Sequence, residues 1–214
     1  MRSKQPINEL YRKRAGAYDI SANVYYLIGF REFAYRKRAV EALNAKPGDT
    51  LVEIGCGTGL NFSLVQQKIG PTGKIVGVDL TDKMLDRARS RVERSGWKNV
   101  QLVQSDASSY KFPCDVAGII STFAITLVPE FDQVIKRGAN ALSSGGRFVI
   151  LDLKKPEGFP LALVRLGVLL TKPFGVSLDL MDRHPWESLR KYLREILFAD
   201  LYNGFAYISA GEAY

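Results

Sequence analysis

The chain has 214 residues, of which 46% are hydrophobic and 24% charged, and its formal net charge at pH 7 is +8. A chain of this length and apolar content buries one substantial core, which excludes a two-domain organisation and predicts a single domain over 1–214. Its two cysteines, Cys56 and Cys114, lack the spacing of a metal site, so we expect reduced thiols and no bound metal. Because the N-terminal part contains no secretory signal pattern, we expect a cytoplasmic protein.

The first segment, residues 1–46, is strongly basic, since it contains ten Lys or Arg and four Asp or Glu for a net charge of +6. Its basic clusters, Arg12–Arg14 and Arg36–Arg38, alternate with aromatic side chains: Tyr11, Tyr18, Tyr25, Tyr26, Phe30, Phe33 and Tyr35. Cations mixed with amphipathic aromatics on helical segments favour an anionic membrane surface as a partner. Two alternatives stay open: a solvated helix face that covers the core, and a nucleic-acid interface, for which one basic end is weak support.

Five apolar runs follow, and they alternate with segments of helical pattern. The runs predict buried parallel strands at Leu51–Ile54, Ile75–Val78, Val100–Val103, Val116–Ile120 and Arg147–Leu151. Between them the sequence predicts helices near Leu60–Lys68, Lys83–Val92 and Phe131–Leu142, and turns at Pro71–Gly73 and Ser143–Gly146. Alternation of strand and helix builds a doubly wound α/β sheet, whose core we expect over residues 49–153.

The first predicted strand leads into a glycine-rich loop, which reads LVEIGCGTGL over Leu51–Leu60. Alternating Gly55, Gly57 and Gly59 predict a loop whose backbone closely approaches a small ligand. This spacing differs from the dinucleotide fingerprint G-x-G-x-x-G. The carboxylate of Glu53 would repel a pyrophosphate and attract a cationic ligand group.

Acidic residues also follow the next two predicted strands. Asp79 ends the second strand and Asp106 follows the third. The carboxyl ends of parallel strands meet at one edge of the sheet, where a carboxylate can hold a ribose diol. The pattern therefore predicts a nucleoside ligand with positive charge, and S-adenosylmethionine has both features.

On these motifs, residues from about Asp49 to Leu153 resemble the class I S-adenosylmethionine-dependent methyltransferases, and especially the small enzymes that methylate quinone precursors or phospholipid head groups. The resemblance implies S-adenosyl-L-methionine as cofactor, S-adenosyl-L-homocysteine as product, and a Rossmann-like, mostly parallel seven-stranded sheet with an antiparallel last strand. It also implies cofactor contacts at matching positions: Glu53, Gly55, Gly57 and Gly59 around the methionine moiety, Asp79 and Leu80 at the ribose, Met84, Asp106 and Ala107 at the adenine, and Ser121 at the end of the fourth strand. Related enzymes use an N-terminal helix as a lid, which here would place Tyr11 and Tyr18, two helical turns apart, over the cofactor.

Residues 154–195 are expected to form a helical insertion before the sixth strand. Within it Leu161–Leu170 is apolar apart from one arginine, yet it is too short to span a bilayer. It predicts either an interfacial helix or a helix packed against the core, and both readings stay open. Residues 196–214 predict a C-terminal hairpin around Asn203-Gly204, formed by the sixth and seventh strands.

Methyl transfer is an in-line displacement, which needs an aligned and deprotonated acceptor but no covalent nucleophile. The single histidine, His184, is the candidate base for a phenol or ring-carbon acceptor, although its neighbours Pro185 and Trp186 favour a structural role. If the acceptor is an amine, the rings of Tyr18 and Tyr25 can stabilise the growing cation. Tyr18 and His184 are therefore the candidate catalytic residues.

The basic aromatic segment and the apolar insertion together predict a methyltransferase that acts at the membrane surface on an amphiphilic lipid. N-methylation of a phospholipid amine, of the phosphatidylethanolamine type, is placed slightly ahead of C- or O-methylation of a quinone precursor. An RNA or other small-molecule methyltransferase and a cofactor-binding protein without catalysis are the remaining alternatives.

Overall fold

The computed structural model describes Arg12, residues 29–156, Gly158, Leu180 and residues 182–214. The predicted lid residues Tyr11 and Tyr18 and the apolar segment Leu161–Leu170 lie outside the described residues. Within the described part of the chain, no helix combines the length and the apolar character needed to cross a membrane.

The described strands form one seven-stranded sheet in the order β3-β2-β1-β4-β5-β7-β6. The strands are β1 Thr50–Ile54, β2 Lys74–Asp79, β3 Val100–Gln104, β4 Val116–Thr122, β5 Leu142–Leu153, β6 Arg194–Leu201 and β7 Ala206–Glu212. Strands β1 to β5 pair in parallel, whereas β7 runs antiparallel to both of its neighbours, β5 and β6. The predicted α/β sheet with an antiparallel last strand is therefore confirmed.

Helices cover both faces of this sheet. They are α1 Glu32–Ala42, α2 Phe62–Ile69, α3 Asp82–Arg94, α4 Phe131–Ala141 and α5 Pro185–Tyr192. Alternate strand residues point to opposite faces, so Leu51 packs with α1 and α2 while its neighbour Val52 packs with α4 and α5. Burial on both faces explains why the strands read as unbroken apolar runs in the sequence.

Two predicted turns differ from the structure. Strand β5 begins at Leu142 and includes the predicted turn Ser143–Gly146, which forms a bulge: Leu142 pairs with Val116 of β4, whereas Arg147 already pairs with Gly118, and Gly145 has a φ of 73°. The Gly145 amide and the Gly146 carbonyl bond to Ala213. The hairpin turn is wider than two residues, since Tyr202, Asn203 and Gly204 all have positive φ values of 47°, 54° and 84°. The first predicted turn is therefore a bulge within a strand, and the second is longer than a two-residue turn.

Candidate active site

A cleft lies at the carboxyl ends of β1 to β4, where the strand order brings the predicted residues together. The cleft is lined by seven of them: Gly55, Gly57, Asp79, Leu80, Met84, Asp106 and Ala107. Arg36, Thr58, Thr122 and Phe123 also line it, and the sequence patterns had not singled them out. The candidate site therefore extends further toward α1 and β4 than predicted.

The three loop glycines have different structural roles. Gly55 (φ 70°), Gly57 (φ 53°) and Gly59 (φ 77°) all lie in the left-handed region that disfavours other residues. A Cβ at Gly55 would lie 2.3 Å from the Cβ of Ala124, and a Cβ at Gly59 would lie 2.6 Å from the Phe62 ring. At Gly57 a Cβ would meet no atom of the described residues within 4 Å. Gly57 thus leaves open space at the cleft, whereas Gly59 serves the packing of α2.

Asp79 connects the end of β2 to the glycine loop. Its Oδ2 accepts a hydrogen bond from the Gly57 amide at 2.8 Å, and its Oδ1 accepts one from the Thr81 amide at 2.8 Å. Burial raises the pKa of Asp79 above its usual value, while these amide donors oppose that rise. The Thr81 hydroxyl and the Leu80 amide also interact with this carboxylate and favour its ionised form. A ligand diol at this position would therefore share the carboxylate oxygens with donors of the protein.

Asp106 closes the β3 side of the cleft. Its Oδ1 accepts hydrogen bonds from both the amide and the hydroxyl of Ser108, each at 2.8 Å. The next carbonyl, of Ala107, accepts a hydrogen bond from Arg137 Nη2 at 3.1 Å. These contacts fix the backbone at the position predicted to meet an adenine.

Glu53 lies behind the cleft rather than in its wall. The residue is 2% exposed, its Oε1 accepts a hydrogen bond from Asn61 Nδ2 at 2.7 Å, and its Oε2 has no hydrogen-bond partner. Burial raises the pKa of Glu53 to about 8, an effect that the nearby Arg36 cation partly offsets. The direct contact expected between an ionised Glu53 and a cationic ligand is therefore not the arrangement in this structure, because Glu53 is largely protonated at pH 7 and shielded from the cleft.

Arg36 presents a cation at the cleft wall in place of Glu53. It projects from α1 and is 6% exposed. Its Nε donates to Glu32 Oε1 at 2.7 Å, and its Nη1 donates to Thr122 Oγ1 at 2.7 Å and to Asn61 Oδ1 at 3.3 Å. The guanidinium also lies 5.2 Å from the centroid of the Phe123 ring. The predicted basic cluster is thus divided, because Arg36 is buried and paired while Lys37 and Arg38 are exposed.

Ser121 is not among the lining residues. It is fully buried, and its hydroxyl donates to the Ile54 carbonyl at 2.9 Å. The next residue, Thr122, lines the cleft. Successive strand residues face opposite sides, so at the end of β4 the side chain of Thr122 faces the cleft and that of Ser121 faces away from it, and a cofactor contact at Ser121 stays a prediction.

The wall beyond β4 is apolar. It consists of Phe123, Ala124, Leu127, Val128 and Pro129, which lie on or next to the short 3₁₀ turn Ile125–Leu127. A wall of this kind excludes water and fits an apolar acceptor, whereas the Asp79 and Asp106 side fits a polar nucleoside.

His184 does not line the described cleft. Its Nδ1 lies 3.2 Å from Glu187 Oε1, its ring lies 4.6 Å from the Trp186 ring, and its side chain is 47% exposed. His184 therefore directly precedes α5 and contacts residues of the first turn of that helix. The geometry gives the predicted base no contact with the site, and a catalytic role for Tyr18 stays a prediction outside the described residues.

A family match covers residues 1–164 and belongs to the ubiE/COQ5 methyltransferase family. This match includes the N-terminal segment, the glycine loop and β1 to β5. The chain belongs to the ubiE/COQ5 methyltransferase family. The predicted methyltransferase resemblance is confirmed at this level.

Relatives of this ubiE/COQ5 chain include demethylmenaquinone methyltransferases. That of Lactobacillus johnsonii is 30% identical over 167 residues, which are 77% of this chain and 66% of the relative. That of Bacillus cereus is 26% identical over 155 residues, or 72% of this chain and 64% of the relative. The matched region therefore spans about two thirds of the length of these relatives.

Solved structures share the fold of the ubiE/COQ5 chain at lower identity. A geranyl diphosphate methyltransferase in complex with GPP and sinefungin superposes with a TM-score of 0.69 at 19% identity, covering 86% of this chain and 78% of that chain. A SAM-dependent methyltransferase from Aquifex aeolicus gives a TM-score of 0.60 at 16% identity, covering 84% and 89%. At these identities the similarity establishes the fold.

Proposed function

We propose that the protein is an S-adenosylmethionine-dependent methyltransferase whose acceptor is a quinone precursor, a reduced aromatic ring with an apolar tail. The observation that carries this proposal is the ubiE/COQ5 match over residues 1–164, together with relatives that are demethylmenaquinone methyltransferases. These relatives favour the second of the two lipid readings over the phospholipid amine that the sequence patterns placed first.

The cleft fits the cofactor at its nucleoside end. Asp79 would accept hydrogen bonds from the ribose hydroxyls while it fixes the Gly57 amide, and Asp106 would accept one from the adenine amine. The open space at Gly57 lets the ligand approach the main chain. When bound, S-adenosylmethionine would supply an electrophilic sulfonium methyl group for transfer to the acceptor carbon, with S-adenosylhomocysteine as the leaving group.

The acceptor side fits a flat apolar ring better than a growing cation. Leu127, Val128 and Pro129 exclude water from the reacting atoms, which favours methyl transfer over solvation of the acceptor. Among the described lining residues Phe123 is the only aromatic side chain, and its ring already faces the Arg36 guanidinium. A quaternary ammonium product would therefore meet a cation at the one described ring that could stabilise it.

The acceptor's apolar tail makes a membrane surface part of the proposal. A chain with a net charge of +8 is attracted to anionic lipid. On α1 Phe33 is 55% exposed, and the exposed Lys37 lies one helical turn further along the same face. We place the protein on the cytoplasmic face of the membrane, bound peripherally.

The test is incubation of the full chain with labelled S-adenosylmethionine and one of three acceptors. These are vesicles with a chemically reduced, demethylated menaquinol analogue, vesicles with phosphatidylethanolamine, and total RNA. We expect label in the quinol, one added methyl group by mass spectrometry, and no label in the other two. Labelled phosphatidylethanolamine or RNA with an unlabelled quinol would overturn the acceptor assignment, and cofactor binding without label in any acceptor would indicate a binding protein.

A further inference from the structure

The segment Arg183-His184-Pro185-Trp186 stood out in the sequence, and the proposed chemistry uses none of it. The structure connects this segment to the cleft by Arg183 rather than by His184. Arg183 Nη1 donates a hydrogen bond to the carbonyl of Thr126 at 2.7 Å. Thr126 is the middle residue of the 3₁₀ turn Ile125–Leu127, which carries the apolar wall.

The main-chain amide of Thr126 is bound by a second residue, Asp152. This buried residue lies near the carboxyl end of β5, and its Oδ2 accepts a hydrogen bond from the Thr126 amide at 3.1 Å. Its Oδ1 accepts one from the Leu153 amide at 2.8 Å. Burial raises the pKa of Asp152 to about 6, which still leaves the carboxylate mostly ionised at pH 7 and able to accept both bonds.

The turn needs such contacts because Phe123, which leads into it, has a strained backbone conformation. Phe123 has a φ of 55°, a left-handed conformation that is unfavourable for a residue with a side chain. Its amide donates to the Leu151 carbonyl at 2.7 Å, directly before Asp152 on β5. A strained turn persists only where the surrounding structure determines it, and β5 and the Arg183 segment supply that structure.

We propose that Asp152 and Arg183 are positioning residues that hold the acceptor wall, Phe123–Pro129, and thereby set the acceptor's place relative to the cofactor. Neither residue lines the cleft, so both act through Thr126. Asp79 ends β2 and Asp106 follows β3, whereas this pair contacts the turn after β4, so we expect the acceptor wall to depend on the pair more than the cofactor end does. The inference rests on the proposed function for the identity of the acceptor, and extends it by joining the insertion to the site.

The experiment compares Arg183→Gln and Arg183→Lys with wild-type protein. We expect Arg183→Gln to raise KM for the quinol at least fivefold and to lower kcat, while affinity for S-adenosylhomocysteine, measured by calorimetry, stays within twofold. Arg183→Lys keeps a donor and should recover part of the loss. The matched control is Arg190→Gln, an α5 arginine that pairs with Glu195 at 2.6 Å and should behave as wild type.

A second measurement is independent of turnover. Amide hydrogen exchange of residues 123–128 in the complex with S-adenosylhomocysteine should be faster in Arg183→Gln and in Asp152→Asn, and unchanged in Arg190→Gln. Unchanged exchange and unchanged quinol kinetics in Arg183→Gln would overturn the proposal, as would an equal loss of cofactor and acceptor binding. If wild-type protein methylates no quinol, the proposed function fails, whereas the exchange difference still decides whether these residues hold the wall.

Discussion

At the scale of single residues, two glycines of the loop are needed for different reasons. Gly55 and Gly57 share a left-handed conformation, but a Cβ at Gly55 would overlap Ala124 and one at Gly57 would not. We expect Gly57→Ala to lower the free energy of unfolding by about 1–2 kcal/mol, and Gly55→Ala by about 2–5 kcal/mol.

Urea denaturation and calorimetry with S-adenosylhomocysteine test this pair. Gly57→Ala should retain the fold but bind the ligand more weakly, because its methyl group enters the open space of the cleft. Equal stability of the two variants would show that the contact between Gly55 and Ala124 is not a constraint on the loop.

A substitution at Asp79 tests the proposed ribose site. Replacing it by alanine removes an acceptor from the Gly57 amide and the proposed bonds to the ribose, which are charge-assisted and worth about 1.5–3 kcal/mol each. We expect Asp79→Ala to weaken S-adenosylhomocysteine binding at least tenfold by calorimetry. Asp86→Ala, on the exposed face of α3, is the control and should leave the affinity within twofold. An unchanged affinity in Asp79→Ala would exclude it from the ribose site.

Helix α1 is joined to the sheet by charges rather than by apolar packing alone. Arg36→Met leaves Glu32 as a buried carboxylate without its partner, and breaking such a pair costs about 3–5 kcal/mol. The double variant Glu32→Met with Arg36→Met removes both charges, so we expect it to be more stable than Arg36→Met alone. Urea denaturation of wild type, Glu32→Met, Arg36→Met and the double variant measures the coupling, and additive costs would contradict a specific pair.

The strands and helices were easier to predict from the sequence than the Glu32–Arg36 pair. Strands and the glycine loop were predictable because burial on both faces gives apolar runs, and because left-handed turns select glycine. The buried position of Arg36 was not predictable, because Arg36 lies in a uniformly basic cluster with Lys37 and Arg38. One signal was available: Glu32 and Arg36 are one helical turn apart and continue the face of Ala39, Val40 and Leu43.

The remaining site residues depend on long-range contacts that no local pattern contains. The side of β4 that faces the cleft is set by strand register, which separates Thr122 from the predicted Ser121. Arg183 meets Thr126 across 57 positions of sequence. His184 was singled out because histidine titrates near neutral pH, but only tertiary structure determines which side chain of a segment reaches a site.

The stability of the whole molecule should depend on pH through Glu53. Its folded pKa of about 8 lies above the usual value of 4.5, so between these values the folded state keeps a proton that the unfolded state releases. Raising the pH from 5 to 8 therefore favours unfolding, by at most about 1.4 kcal/mol per pH unit.

The comparison of wild type with Glu53→Gln isolates this effect, because glutamine cannot ionise. We expect the stability advantage of Glu53→Gln to grow from pH 5 to pH 8 in urea denaturation. Glu41→Gln, on the exposed face of α1, is the control, and its free energy of unfolding should change with pH as that of wild type does. Parallel curves for Glu53→Gln as well would show that Glu53 is ionised in the folded protein.

The order of the strands also has a consequence for biosynthesis. In the sheet β6 pairs with β7 alone, and β7 follows it in the chain. As the ribosome releases β6, that strand has no place to dock, and β5 presents an open edge to other chains. The nascent protein is therefore exposed to misassembly until β7 emerges and fills the gap between them.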